Sequence, residues 1–199
     1  KEYLAGDKPF ERILLRPESF WPEREIDLLT GNRVSKIDPV AKKVTLTSDD
    51  EIGYGKLIWA TGGSPRMLDC PGSQARNIHA VRSRADVDKI MAALPSVEKA
   101  VVVGGGYIGL EAAAVLTKLG KQVTIVESLD RVLSRVAGEP LSRFYEAEHR
   151  RQGVTIELEA SVSGFETNDE GIATAVTLAD GRTLAADMFV VGIGIIPET

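Results

Sequence analysis

Cysteine is almost missing from this sequence: Cys70 stands alone among 199 residues, so no internal disulfide can close and no CxxC dithiol pair exists. Histidine is nearly as scarce. His79 and His149 are too few and too far apart to make a metal set, and no metal site is expected. Basic residues are outnumbered, 24 Lys and Arg against 29 Asp and Glu, for a net charge of -5. A nucleic-acid grip needs a dense basic face that displaces phosphate counterions, so no nucleic-acid partner is expected. Long apolar runs are lacking too. The best candidate, residues 100–116, carries four glycines and Glu111, whereas a bilayer-spanning helix needs about 20 apolar residues. The opening ten residues are polar, with Pro9, unlike the basic-then-apolar layout of a secretory leader. A cytoplasmic location without membrane attachment is the expectation.

What is present is concentrated between Lys99 and Glu127. Val101–Val103 is a β-branched run of the kind buried in a parallel sheet, and residues 112–119 are rich in strong helix formers. Between them lies Gly104-Gly105-Gly106-Tyr107-Ile108-Gly109, which fills G-x-G-x-x-G. The first glycine permits the tight turn, the second lets a pyrophosphate approach the backbone, and the third lets helix pack closely on strand. The helix start then offers free N–H groups and a positive dipole end to phosphates. Gly120 is a natural helix stop, residues 123–126 make the next strand, and Glu127 ends it 18 residues after Gly109. An acidic residue about 20 positions on is the one that accepts from the adenosine ribose hydroxyls. Strand, glycines, helix, second strand and terminal acid together predict a dinucleotide site. A carboxylate at Glu127 repels a 2′-phosphate and favours NADH over NADPH. Arg131 and Arg135 lie close behind and are either phosphate ligands or ordinary solvated loop residues.

The chain also repeats itself. Residues 26–28 align with 154–156, and 34–37 with 162–165, 128 positions later; 44–46 align with 176–178, and 57–62 with 189–194, 132 positions later. Each copy reads as a strand, an alternating β-meander and a final apolar strand ending in a glycine turn. A counterpart of the Gly104 fingerprint would fall before Lys1. The expectation is therefore an internal piece of a longer protein with two dinucleotide domains. Residues 1–76 would be the back part of a first, FAD-binding domain, 77–191 a complete NAD-binding domain, and 192–199 the start of a return to the first. The fold class is α/β, a Rossmann-like parallel sheet with a β-meander crossover.

Residues 101–114, the turn 60–66 (ATGGSPR), the stretch 127–140 (ESLDRVLSRVAGEP), residues 144–154 (FYEAEHRRQGV) and the opening KEYLAG together resemble the flavoprotein ferredoxin reductases. The resemblance covers nearly the whole chain. Its glycine motifs are shared across the two-dinucleotide-domain FAD oxidoreductases, while the last stretches and the opening are closer to the ferredoxin reductase branch. It implies FAD in the first domain and NADH in the second. Hydride would pass from NADH to FAD, and single electrons would leave to a [2Fe-2S] ferredoxin serving a P450 or dioxygenase system. By the same resemblance Lys1 matches a lysine beside the flavin, and Glu111 the carboxylate that pairs with it. Ala60, Thr61, Gly62 and Arg66 match the turn that touches FAD. Val34 matches an adenine-side contact, and Gly192, Ile193 and Gly194 lie near the nicotinamide. Tyr107 either gates that pocket or packs at the helix start. Cys70 reads as a small loop residue. Arg143, Arg150 and Arg151 are either a ferredoxin-docking patch or a solvated helix face. The FAD pyrophosphate fingerprint is outside the chain, so the fragment alone is expected to bind FAD poorly. An NADH oxidase or disulfide reductase of the same superfamily, and an NADH-sensing flavoprotein like apoptosis-inducing factor, are the alternatives.

Overall fold

The computed structural model of the chain describes residues 1–198. The chain forms two units, Phe10–Thr61 and a larger one in which Lys1–Pro9 joins the residues from Gly62 onward.

In Phe10–Thr61 a short helix, α1 (Phe20–Glu23), precedes an antiparallel meander of β1 (Val34–Asp38), β2 (Lys43–Leu46) and β3 (Glu51–Gly53) in that order. Alternation turns Val44 and Leu46 inward and their neighbours outward. Residues 26–28 and 57–62, expected as strands, are not strands. Their apolar side chains stay exposed, Ile58 at 88%. An apolar run becomes a strand only where a neighbour takes up its N–H and C=O groups. The one sheet described in this unit is the meander, which offers these runs no parallel partner.

The larger unit holds β4 (Gly63–Pro65), β5 (Ile78–Ala80), α2 (Arg84–Ala93), β6 (Lys99–Val103), α3 (Tyr107–Lys118), β7 (Gln122–Val126) and α4 (Glu139–Arg151). It continues through β8 (Thr155–Glu157), β9 (Val162–Thr167), β10 (Ala173–Leu178), β11 (Thr183–Ala185), β12 (Met188–Val191) and β13 (Ile195–Pro197). Five strands form one parallel sheet in the order β5-β12-β6-β7-β8. Both faces are covered, which is why β6 and β12 read as continuous apolar runs. Ala100, Val102, Ile125 and Val190 face the helices with Ile90, Ala113 and Leu116. Val101, Val103, Val126 and Phe189 face the meander β9–β11, where Phe165 meets Phe189 edge-on at 5.2 Å. Each fully buried Val or Leu contributes about 2 kcal/mol through removal of apolar surface from water.

Two caps set the helix ends. After α3, Lys121 N–H donates to Leu116 O at 3.0 Å and Gly120 N–H to Thr117 O at 2.9 Å, with Gly120 at φ +78. That pair is a Schellman motif, and the left-handed residue it requires is the glycine. Before α2, Ser83 Oγ accepts from Asp86 N–H at 3.3 Å, while Asp86 Oδ2 accepts from Ser83 N–H at 2.8 Å. Ser83→Ala removes one half of this box and is expected to lower stability by about 1 kcal/mol, read as a lower urea midpoint at unchanged slope.

The repeat seen in the sequence is visible in matched detail. Ser35 Oγ donates to Thr45 O at 3.1 Å in the first meander, and Ser163 Oγ donates to Thr177 O at 3.1 Å in the second. No helix among the described residues is long and apolar enough to cross a membrane.

Candidate functional site

The site is built where β6 runs out. Gly104 lies at φ +105, a conformation that L side chains rarely adopt, and its N–H still donates to Val126 O at 2.8 Å, prolonging the ladder with β7. A Cβ on Gly104 would meet Gly192 O at 2.6 Å, and one on Gly109 would lie far inside contact with Gly104 O. These two glycines are required by the chain's own packing. Gly106 is different: a Cβ there would find nothing closer than Gly192 O at 3.9 Å. No neighbour among the described residues explains a glycine at that position. An approaching ligand would.

The helix behind the turn supplies the donors. The first bond of the α3 ladder runs from Leu110 N–H to Gly106 O at 2.9 Å. The N–H groups of Gly106, Tyr107, Ile108 and Gly109 find no acceptor among the described residues. Free N–H groups at the positive end of a twelve-residue helix suit a diphosphate. Tyr107, at the helix start, is 55% exposed. Ile108 is exposed beside it.

Glu127 faces this turn from the end of β7. Its Oε2 accepts from Gly105 N–H at 2.7 Å and its Oε1 from Leu129 N–H at 2.9 Å. The carboxylate is thus oriented in advance, with lone pairs left for ribose hydroxyls. Arg131 turns away, donating to the Asp130 carboxylate at 3.2 Å and to Ser134 O at 3.3 Å; Arg135 is exposed.

The far end of the sheet closes the other side. Gly192 N–H donates to Val103 O at 2.8 Å, and Ile193 packs into the core behind the turn. Gly194 sits at φ +105, and its carbonyl accepts from Arg66 N–H at 2.9 Å. β13 then pairs antiparallel with β4, Pro197 opposite Gly63. The exposed Arg66 therefore lies beside Gly194, while Gly62, at φ +72, lies at the other end of the pair, its carbonyl accepting from Glu198 N–H at 3.1 Å. Val34, half-buried in β1, belongs with Ala60 and Thr61 to the Phe10–Thr61 unit.

Lys1 Nζ donates to Glu111 Oε1 at 2.9 Å, with both side chains more than half exposed. The hydrogen bond to Glu111 raises the Lys1 pKa above the usual ammonium value. The opening segment is fastened to the helices by three further contacts. Leu4 is buried in the core, Tyr3 Oη donates to Asp88 at 2.6 Å, and Lys118 Nζ bridges both oxygens of Asp7 at 2.8 Å.

The sequence reading missed the polar groups beneath α4. Glu146 and His149 are buried, and Arg143, Arg150 and Arg151, offered as docking residues, are each paired with a carboxylate of their own helix. Their spacing in the sequence looks the same as that of a solvated face, so no signal there marks Glu146 as turned inward. Cys70 is a half-buried free thiol whose pKa is raised by burial.

Comparison with known proteins decides the family. The model of the pyridine nucleotide-disulphide oxidoreductases matches residues 2–199. The chain belongs to that family. Its relatives within the family include the ferredoxin reductase subunit of a 5,5'-dehydrodivanillate O-demethylase of Sphingobium sp., 55% identical over all of this chain and 48% of that protein. A ferredoxin–NAD(P)(+) reductase of Sphingomonas sp. is 53% identical over 99% of this chain and 47% of that protein. Among solved structures, the covalent putidaredoxin reductase–putidaredoxin complex superposes with a TM-score of 0.93 at 39% identity, over 99% of this chain and 48% of that one. The chain spans about half the length of the curated relatives it matches. As a pyridine nucleotide-disulphide oxidoreductase chain, it shares their α/β fold with the parallel sheet and inserted meander.

Proposed function

We propose that this chain is the nucleotide-binding core of a flavoprotein reductase that takes hydride from NADH to FAD and passes single electrons to a [2Fe-2S] ferredoxin serving a P450 or dioxygenase system. The observation that carries the reading is Gly106, a glycine with an open face beside unpaired helix N–H groups. In this reading residues 1–76 are part of the FAD-binding domain, 77–191 the NAD-binding domain, and 192–199 the return toward the first. The ferredoxin reductases among its relatives, two above 50% identity, favour this reductase over an oxidase or a sensor.

FAD, when bound, supplies the exchange between a two-electron donor and a one-electron acceptor. The chain's own residues bind and orient. The backbone N–H groups of 106–109 hold the NADH diphosphate, and the Glu127 carboxylate accepts from the adenosine ribose and repels a 2′-phosphate. Gly192, Ile193 and Gly194 line the nicotinamide end. Lys1, held by Glu111, places a cation on the flavin side, and Ala60, Thr61, Gly62, Arg66 and Val34 belong to the FAD side. Among them Lys1 and Arg66 are exposed cations suited to an anionic cofactor.

The test is spectroscopic and uses the intact protein. Added NADH is expected to bleach the flavin absorbance, and a [2Fe-2S] ferredoxin added next is expected to become reduced. Bleaching followed by electron loss to oxygen alone would replace the reductase reading with the oxidase one. No response to NADH would sink the dinucleotide site itself.

A further inference from the structure

The loop that follows Glu127, residues 128–138, joins β7 to α4 and runs beside the glycine turn. Leu133 N–H donates to Gly105 O at 2.9 Å, and the fully buried Val132 presses its Cγ1 toward the Cα of Gly105, where a Cβ would stand only 3.0 Å from it. Leu133 itself lies at φ +55, a backbone conformation uncommon for a leucine, so this path is imposed by what holds the loop and not by its own preference.

What holds it is an ion pair on α4. Glu146, with a side chain 4% exposed, accepts from Val132 N–H at 3.2 Å through Oε1. Arg143 donates to both Glu146 oxygens, at 3.2 and 3.0 Å, and to Asp130 O at 3.2 Å. Its other face is bonded to Glu139, and Arg150 stands 3.5 Å from Glu146 Oε2. One carboxylate and one guanidinium thus grip a backbone donor and a backbone acceptor two residues apart. A buried carboxylate is a poor way to add stability, since apolar replacements of buried ion pairs are often neutral or better. It is a good way to fix where a strained loop lies.

We propose that Glu146 and Arg143 are positioning residues for the adenosine half of the dinucleotide. By pinning Asp130 and Val132 they fix the distance between loop 128–138 and the Gly105 turn, and with it the Glu127 carboxylate that spans the two. The inference rests on the dinucleotide reading of this site and adds the residues that set its width.

The test uses intact protein and two half-cofactors, ADP-ribose and nicotinamide mononucleotide. Glu146→Gln keeps the shape but loses the charge. It is expected to weaken ADP-ribose binding and raise the NADH KM by about tenfold, with nicotinamide mononucleotide affinity and kcat at saturating NADH held. Arg143→Met, which leaves Glu146 its Val132 N–H bond and the nearby Arg150, is expected to give about a threefold effect of the same sense, and Arg143→Lys to recover most of it. If Glu146→Gln does not fold, the Arg143 pair decides alone. Variants that bind ADP-ribose as the wild type does, while melting earlier, would overturn the positioning role and reduce the pair to scaffold. A wild-type protein that fails to bind ADP-ribose would instead overturn the dinucleotide reading, and this inference with it.

Discussion

Gly104→Ala is expected to cost about 4 kcal/mol of folding stability and to abolish measurable NADH binding. Two independent penalties combine. The backbone there sits at φ +105, where an alanine is strained by roughly 1–3 kcal/mol. The added methyl also meets Gly192 O at 2.6 Å, and backbone cannot swing away as a side-chain tip can; overpacking of this kind costs about 1–3 kcal/mol. Relief would require β12 to draw back from β6, breaking the Gly192 N–H to Val103 O bond that shapes the far side of the site. Gly106→Ala is the control that gives the comparison its force. Its methyl has free space, so the unfolding free energy read from urea denaturation should hold to within about 0.5 kcal/mol while NADH affinity falls at least about tenfold. Paired denaturation and NADH titrations separate the glycine needed for packing from the glycine needed for ligand. If Gly106→Ala bound NADH normally, the diphosphate would lie elsewhere.

Glu127→Ala is expected to weaken NADH about 30-fold and to bring the NADH and NADPH dissociation constants close together. Bonds from ribose hydroxyls to a carboxylate contribute about 1.5–3 kcal/mol, and the repulsion that excludes a 2′-phosphate disappears with the charge. Stability falls as well. Gly105 N–H and Leu129 N–H, which Glu127 now satisfies, lose their acceptor at a cost of about 2 kcal/mol. Glu127→Gln separates the two effects: its amide oxygen still accepts, so NADH binding should suffer less than in the alanine variant while the discrimination against NADPH relaxes. Isothermal titration of both nucleotides against the three proteins reads this directly, and discrimination that survives in Glu127→Gln would remove the charge from the account.

The features legible in the sequence were those whose causes are local. From Lys99 to Glu127 each requirement, a buried strand, a bend without side chains, a helix and a terminal acid, is met within thirty residues, and β6, α3 and β7 lie where those signals put them. The meanders were legible for a similar reason, since alternation is written into each strand and the second copy repeats the first down to Ser35 and Ser163. Residues 26–28 and 57–62 failed as strands because pairing is not a property of a segment alone. The same apolar pattern at β8 and β12 does become strand, with neighbours already in place. Glu146 escaped notice because charged residues at helical spacing look identical whether they turn toward solvent or toward a loop backbone. Only the fold shows that Val132 N–H waits on its inner side, with Asp130 O taken up by the neighbouring Arg143.

The parallel sheet has its shortest strands on the outside: β5 and β8 contain three residues each, against five in β6 and β7. A border so brief exposes few unpaired amides, giving another polypeptide little to zip onto. Self-association of this fold through its rim is disfavoured by geometry before any charge is considered.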